Sequence, residues 1–249
     1  EIEFESYVET KNGVDAYVQE ILLDQKELEQ VIFDLQSLFV FDYSIKSIEQ
    51  ENWNSKWEES FNPVQINEDC VIRAHFHDKV DCKHEIIITP KMAFGTGHHE
   101  TTYLMMNQMF KLDLKNKSVL DMGCGTGVLA ILSKMLGSSN TLGVDIDVWS
   151  YENSVDNAVL NNISDIQFLQ GDIDSIDGTF DVILANINRN IILSDINKYI
   201  DLMHEDSDLL LSGFLSEDVE IIREKSEELN LKFISHKNKN RWNLLHFTN

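Results

Sequence analysis

Cysteine, positive charge and long apolar runs are all scarce in this chain, and each scarcity closes off a class of protein. Three cysteines, Cys70, Cys82 and Cys124, are too few and of the wrong parity for a disulfide framework, which agrees with a reducing compartment. No run approaches the roughly 18 apolar residues that span a bilayer. The opening Glu1-Ile2-Glu3-Phe4 has neither a basic region nor a signal-like apolar stretch. A cytoplasmic protein without membrane attachment is expected. Only 20 basic residues stand against 43 acidic ones, a net charge of -23. Direct nucleic-acid binding is not expected, because a phosphate backbone is held by Lys and Arg that replace its counterions. A field of this sign instead favours encounter with a basic protein.

What is present is ordinary globular material: 43% apolar and 25% charged residues over 249 positions, enough for one large domain with a small one beside it. Cys70, His75, His77, Cys82 and His84 crowd together, so a zinc site has to be weighed. In an extended segment His75 and His77 share a face while Cys70 points to the other, and no Cys-x-x-Cys pair is present; no metal is expected.

The first fifty residues read as strand, turn, strand, helix, strand. Asn12-Gly13 separates Glu5 to Thr10 from Val14 to Leu23, as in a two-residue hairpin turn. Leu28, Val31, Ile32, Leu35 and Leu38 recur at helical spacing within 25–38, and Phe39 to Ile48 reads as extended. This α+β unit resembles part of a ferredoxin-like module, truncated by one strand and one helix before Glu1. Trp53, Trp57 and Phe61 form one stripe of a connector helix over 51–63 that Pro63 terminates. The domain plan is therefore 1–50 for recognition, 51–63 as connector and 64–249 as a larger domain.

In that larger domain apolar strands alternate with helices: KSVLDMG from Lys117, TLGVDID from Thr141, IQFLQGD from Ile166, FDVILANI from Phe180 and DLLLSGF from Asp208. The alternation predicts an α/β, doubly wound, mostly parallel, Rossmann-like sheet with its ligand at the carboxyl ends of the strands. Lys232 to His236 and Trp242 to Phe247, joined by a KNKN turn, read as an antiparallel edge hairpin that brings the sheet to seven strands.

The chemistry is concentrated at those strand ends. Asp121-Met122-Gly123-Cys124-Gly125-Thr126-Gly127 leaves a strand and opens a helix, so backbone amides and a helix N-terminus can approach a nucleotide-like ligand. A dinucleotide fingerprint wants Gly or Ala where Val128 stands, and the carboxylate of Asp121 beside a pyrophosphate would repel it. A nicotinamide dehydrogenase is therefore disfavoured, and a cationic ligand suits the site better. Asp145, about 20 residues beyond Gly123, can accept both hydroxyls of a ribose. Asp172 follows the next strand, within reach of an adenine amino group. Singly, such acids also serve as turn or cap residues; together, at successive strand ends, they suggest an adenosine-type cofactor held with the help of Asp121, Gly123 and Gly125.

The runs AFGTGHHETT (93–102), LDMGCGTG (120–127), ANIN (185–188) and ENWNSKWEESFNP (51–63) resemble the ribosomal protein L-eleven methyltransferases, over nearly the whole chain. The resemblance implies S-adenosylmethionine as cofactor, S-adenosylhomocysteine as product, and Thr102, Gly123, Asp145 and Asn186 as cofactor contacts. It also implies methylation, up to trimethylation, of the α-amine and lysines of ribosomal protein L-eleven by a monomeric enzyme. Thr102 can equally cap its helix. Asn186 and the Ile187 carbonyl are expected to orient the amine, while His98 and His99 are not assigned as bases. Two readings stay beside this one. Related methyltransferases acting on glutamine amides or nucleobase amines also use a strand-end Asn, though usually followed by Pro-Pro and an aromatic residue, where this chain has Ile187-Asn188-Arg189. A non-catalytic ribosome-assembly binder could keep the cofactor pocket alone.

Overall fold

The computed structural model describes residues 4–11, 13–47, 61–91 and 93–249. The chain divides into two compact units, Glu1–Lys56 and Trp57–Asn249. In the first, β1 (Ser6–Thr10) pairs antiparallel with β2 (Gly13–Tyr17), Thr10 opposite Gly13 and Ser6 opposite Tyr17. Gly13 is already a paired residue, and Asn12 lies outside the described residues. The second strand ends at Tyr17, not Leu23, because a short 3-10 turn occupies Glu20–Leu22. Helix α1 (Gln25–Gln36) starts where the Asp24 carboxylate accepts the Lys26 and Glu27 amides at 2.9 and 3.2 Å, and it stops short of the expected Leu38. The extended run expected from Phe39 forms no strand over residues 39–47. Of the expected connector helix, residues 51–60 lie outside the described residues and 61–63 are not helical.

The second unit opens with a small sheet that the sequence reading did not resolve. Strand β3 (Val64–Asn67) runs antiparallel to β4 (Cys70–Ala74), which pairs in parallel with β5 (His84–Ile88). His75 and His77 do not continue an extended segment, as had been expected: the chain turns back, the Ala74 amide donating to His77 Nδ1 at 3.1 Å. Among the described residues, no group of three His, Cys, Asp or Glu side chains is placed to hold a metal ion.

Helix α2 (Glu100–Met109) leads into the main sheet, whose elements are β6 (Ser118–Met122), α3 (Val128–Met135), β7 (Asn140–Asp145), α4 (Val148–Leu160), β8 (Ile166–Gln170), β9 (Phe180–Asn186), α5 (Arg189–Asp201), β10 (Met203–Leu215), α6 (Val219–Glu228), β11 (Lys232–Lys239) and β12 (Trp242–Thr248). Seven strands lie in the order β11-β12-β10-β9-β6-β7-β8. The five from β6 to β10 are parallel, and the closing hairpin is antiparallel, as expected. Residues 237–239 of the expected KNKN turn continue β11, so the turn falls on Asn240 and Arg241.

Period two sorts the apolar strand residues onto the two faces of the sheet. Val182, Leu184, Leu210 and Leu244 pack in one core with α2 and α3, while Ile183, Ala185, Leu209, Leu211 and Leu245 pack in the other with α5 and α6. Both faces are covered, which is why these strands read as unbroken apolar runs. The winding reverses between β6 and β9, and a crevice opens at the carboxyl ends of the strands on either side of such a reversal. Among the described residues, no helix is long and apolar enough to cross a membrane.

Candidate active site

At that crevice two loops lock together. The glycine loop after β6 is held to β7 by the Gly123 and Cys124 amides, which donate to the Val144 carbonyl at 2.8 and 3.0 Å. The loop ahead of α2 lies across it: the Thr126 amide donates to the Phe94 carbonyl at 2.9 Å, and the Thr126 hydroxyl to the Gly95 carbonyl at 2.7 Å. Gly125 has φ +54°, and a Cβ there would be driven into the Phe94 carbonyl oxygen, so only glycine allows the two backbones to meet. Asn157, fully buried on α4, secures the assembly by accepting the Thr89 amide at 2.8 Å and donating to the Thr126 carbonyl at 2.9 Å.

Carboxylates sit around this frame in different states of engagement. Asp145 Oδ2 accepts the Gly125 amide at 2.8 Å and Oδ1 the Asp147 amide at 3.0 Å, which fixes the side chain and leaves further lone pairs for a ligand. Asp172 caps the 3-10 turn after β8, accepting the Asp174 amide at 3.1 Å. Asp121 is 1% exposed beneath the glycine loop; its Oδ2 accepts the Ala130 amide at 3.0 Å, and its Oδ1 finds no partner among the described residues. Burial pushes its carboxyl up to about 7, the Ala130 hydrogen bond opposes the rise and the Asp145 charge adds to it. Burial likewise raises the Cys124 thiol well above its ordinary value, with the Asp121 and Asp145 charges adding to the rise.

These loops and strand ends enclose a cavity of about 490 Å³, whose lining includes Gly123, Gly125, Asp145, Asp172, Asn186 and Ile187. Three of the lining residues are acids, Asp145, Asp172 and Asp195, and none of the described lining residues is Lys or Arg. Asn186 ends β9, and its Oδ1 is buried without a hydrogen-bond partner among the described residues. Ile187 is held by its amide, which donates to the Ser212 carbonyl at 3.0 Å. Its carbonyl lies against Gly213, whose φ of +98° accompanies a register break in β10.

Residues 2–249 match the family described as Ribosomal protein L11 methyltransferase (PrmA). The chain belongs to this family. It is 46% identical to the ribosomal protein L11 methyltransferase of Phocaeicola vulgatus, over 99% of this chain and 90% of that protein. It is 44% identical to that of Bacteroides thetaiotaomicron, over 98% and 89%. Among solved structures, the ribosomal protein L11 methylase from Lactobacillus delbrueckii subsp. bulgaricus is similar, with a TM-score of 0.70 and 28% identity over 75% of this chain and 97% of that one. Membership in a methyltransferase family sets aside the dehydrogenase reading.

For an L11 methyltransferase family member, the expected site residues fall into two groups. Gly123, Gly125, Asp145, Asp172, Asn186 and Ile187 converge on the cavity. Thr102 and Asp121 stand behind it. The Thr102 hydroxyl is fully buried on α2 without a partner among the described residues, while its neighbour Thr101 lines the cavity and shares a hydrogen bond with His99 Nδ1 at 2.8 Å. Sequence reasoning missed Asp195 and Ile191 on α5, which also line the cavity, and gave no role to Phe94, His99 or Trp242, which do so too. The signal for Trp242 was available. Strand β12 runs antiparallel, so its first residue lies opposite Leu215, at the carboxyl edge where the parallel strands bind ligands.

Proposed function

We propose that this protein transfers methyl groups from S-adenosylmethionine to amines of ribosomal protein L11, both lysine side chains and the α-amine. The observation that carries the reading is the end of β9, where Asn186, whose Oδ1 is buried without a partner among the described residues, and Ile187, whose carbonyl lies against Gly213, line an acid-bearing cavity. Two oxygens so placed can accept the N–H groups of a tetrahedral amine and point its lone pair. Family membership supports L11 as the substrate, and the net charge of -23 supports a basic one.

When bound, the cofactor supplies a methyl group on a sulfonium, which an amine lone pair can take as the carbon–sulfur electron pair returns to sulfur. The protein's part is to hold, orient and dry the reactants. Asp145 accepts the ribose hydroxyls, Asp172 the adenine amino group, and the Gly123 and Gly125 backbone gives the close approach. Thr102 is assigned to the amino-acid end, and the Asp121 carboxylate supplies negative charge under a cationic ligand. A lysine of pKa about 10.4 is neutral only about once in a thousand at about pH 7.4, so the amine sheds its proton to water as it enters the drier cavity. No metal takes part in this scheme. Residues 1–50 are assigned substrate recognition, and 64–249 the transfer chemistry.

Incubation with purified L11 and isotope-labelled cofactor, followed by mass spectrometry, tests the reading. Label is expected on lysine and α-amine nitrogens. Label on a glutamine amide or a nucleobase, or a folded protein that binds cofactor without transferring methyl groups, would overturn it. Asn186→Ala is expected to lower turnover about 100-fold; unchanged cofactor affinity together with unchanged turnover would remove Asn186 from the mechanism.

A further inference from the structure

We propose that Phe94, His99 and Trp242 form an aromatic wall that receives the acceptor nitrogen as it becomes methylated, and so favours repeated transfer to one amine. The inference rests on the amine-methylating reading above. All three rings line the same cavity as Asn186 and Ile187. They come from three separate places: the loop stitched to the glycine loop, the cap of α2 and the first residue of β12. Ring centroids lie 5.0 Å apart for Phe94 and His99, tilted by 63°, and 4.5 Å apart for His99 and Trp242, tilted by 67°. Successive rings are turned against one another, so the set bends into a corner. Phe94 remains 53% exposed.

Several contacts prepare this corner for a cation. His99 Nδ1 lies 3.3 Å from the Thr101 amide and 2.8 Å from the Thr101 hydroxyl, contacts that hold the ring in the corner. The cavity has acids in its lining, and none of its described lining residues is Lys or Arg. Arg241, next to Trp242, is drawn aside by both oxygens of Glu217 at 2.9 and 3.0 Å. The hairpin that carries Trp242 is pinned to α2 where Asn240 donates to Glu100 at 2.7 Å and the Lys239 ammonium lies 3.6 Å over the Tyr103 ring. A primary ammonium is strongly hydrated through three N–H groups. Each methyl group removes one of them and spreads the charge over C–H bonds, so moving the cation from water onto aromatic faces becomes easier. The wall's preference therefore rises as methylation proceeds, and the mono- or dimethylammonium held there gives its remaining N–H proton to water before each further transfer.

The probe pair is choline and its neutral carbon isostere 3,3-dimethyl-1-butanol, titrated into the cofactor-free protein and followed by NMR. Choline is expected to bind about 3- to 10-fold more tightly, with the difference lost in Phe94→Leu and Trp242→Leu and retained in Trp242→Tyr. On L11, the leucine variants are expected to shift product from trimethylated toward monomethylated nitrogen at equal total label. Equal affinity for the two probes in the unmodified protein, a choline preference that survives in both leucine variants, or an unchanged product ratio would overturn the proposal. Failure of the unmodified protein to methylate any amine would instead sink the functional reading, and the probe titration would still decide the wall.

Discussion

Asparagine at position 121 separates the charge beneath the glycine loop from its shape. The Asp121 carboxyl is 1% exposed and raised from 3.8 to about 7, chiefly by burial. Because the folded-state value lies above the unfolded one, the folded protein keeps this proton between about pH 4 and about pH 7 while the unfolded chain has lost it. The stability contributed by the protonated form is complete below about pH 4 and is lost as pH rises through about 7. At about 1.4 kcal/mol per unit, roughly three units amount to about 4 kcal/mol, of which about 3 falls between pH 5 and pH 8. Asp121→Asn does not titrate and can still accept the Ala130 amide. Thermal unfolding of both proteins without cofactor, at about pH 5 and about pH 8, should show the variant's Tm advantage growing by about 8 °C with pH. Other titrating groups are common to both proteins and cancel in the difference. Parallel Tm profiles would refute the buried charge. A cationic cofactor should also pull this carboxyl down, so binding near pH 7 should release a proton from the unmodified protein and not from the variant, measurable by calorimetry in buffers of different ionisation heat.

Three further substitutions probe the frame. Gly213→Ala adds a Cβ at φ +98°, directed into the Ile187 carbonyl, and should lower stability by about 2 to 4 kcal/mol in urea titration and displace that carbonyl enough to depress kcat. Asp145→Asn should weaken S-adenosylmethionine binding about 10- to 100-fold by calorimetry, and a 2′-deoxy cofactor analogue should lose less; equal losses for the two ligands would contradict the ribose contact. Asn157→Ala strands the Thr89 amide and the Thr126 carbonyl and should lower the urea midpoint by an amount worth about 2 to 4 kcal/mol, without changing the slope.

The parts of this molecule that could be read from sequence are those whose cause is local. Phe180-Asp181-Val182-Ile183-Leu184-Ala185-Asn186 must be a strand covered on both faces, because its apolar run is too short for a helix and ends on an amide. The glycine loop and the acids of β7 and β8 follow their strands directly, so Gly123, Asp145 and Asp172 could be placed together before any contact was known. Where a residue's position depends on a distant partner, local pattern fails. Arg73 spoils the apolar look of β4, yet it is buried because Glu85, twelve residues on, accepts its Nε–H at 2.7 Å. The three-stranded sheet escaped notice for that reason. Strand β2 stops at Tyr17 with every residue exposed, so no buried face extends it to Leu23.

The same distinction divides the site itself. The cofactor side is built from backbone turns and strand-end acids of consecutive βα units, and its recognition is written in short motifs. The rest of the lining draws Asp195 from the second turn of the amphipathic α5, Phe94 and His99 from a loop outside the main sheet, and Trp242 from a strand that enters the sheet last. Asp195 reads as one more acid among 43, and Trp242 as the start of an edge hairpin, until β12 is placed inside the sheet beside β10. A cofactor common to many enzymes can be held by local motifs, whereas discrimination among acceptors needs surfaces that can vary without disturbing those motifs. Residues from separate elements supply such a surface, so substitutions at Phe94, His99, Asp195 and Trp242 should be the ones that change which nitrogen is methylated while leaving the glycine loop intact.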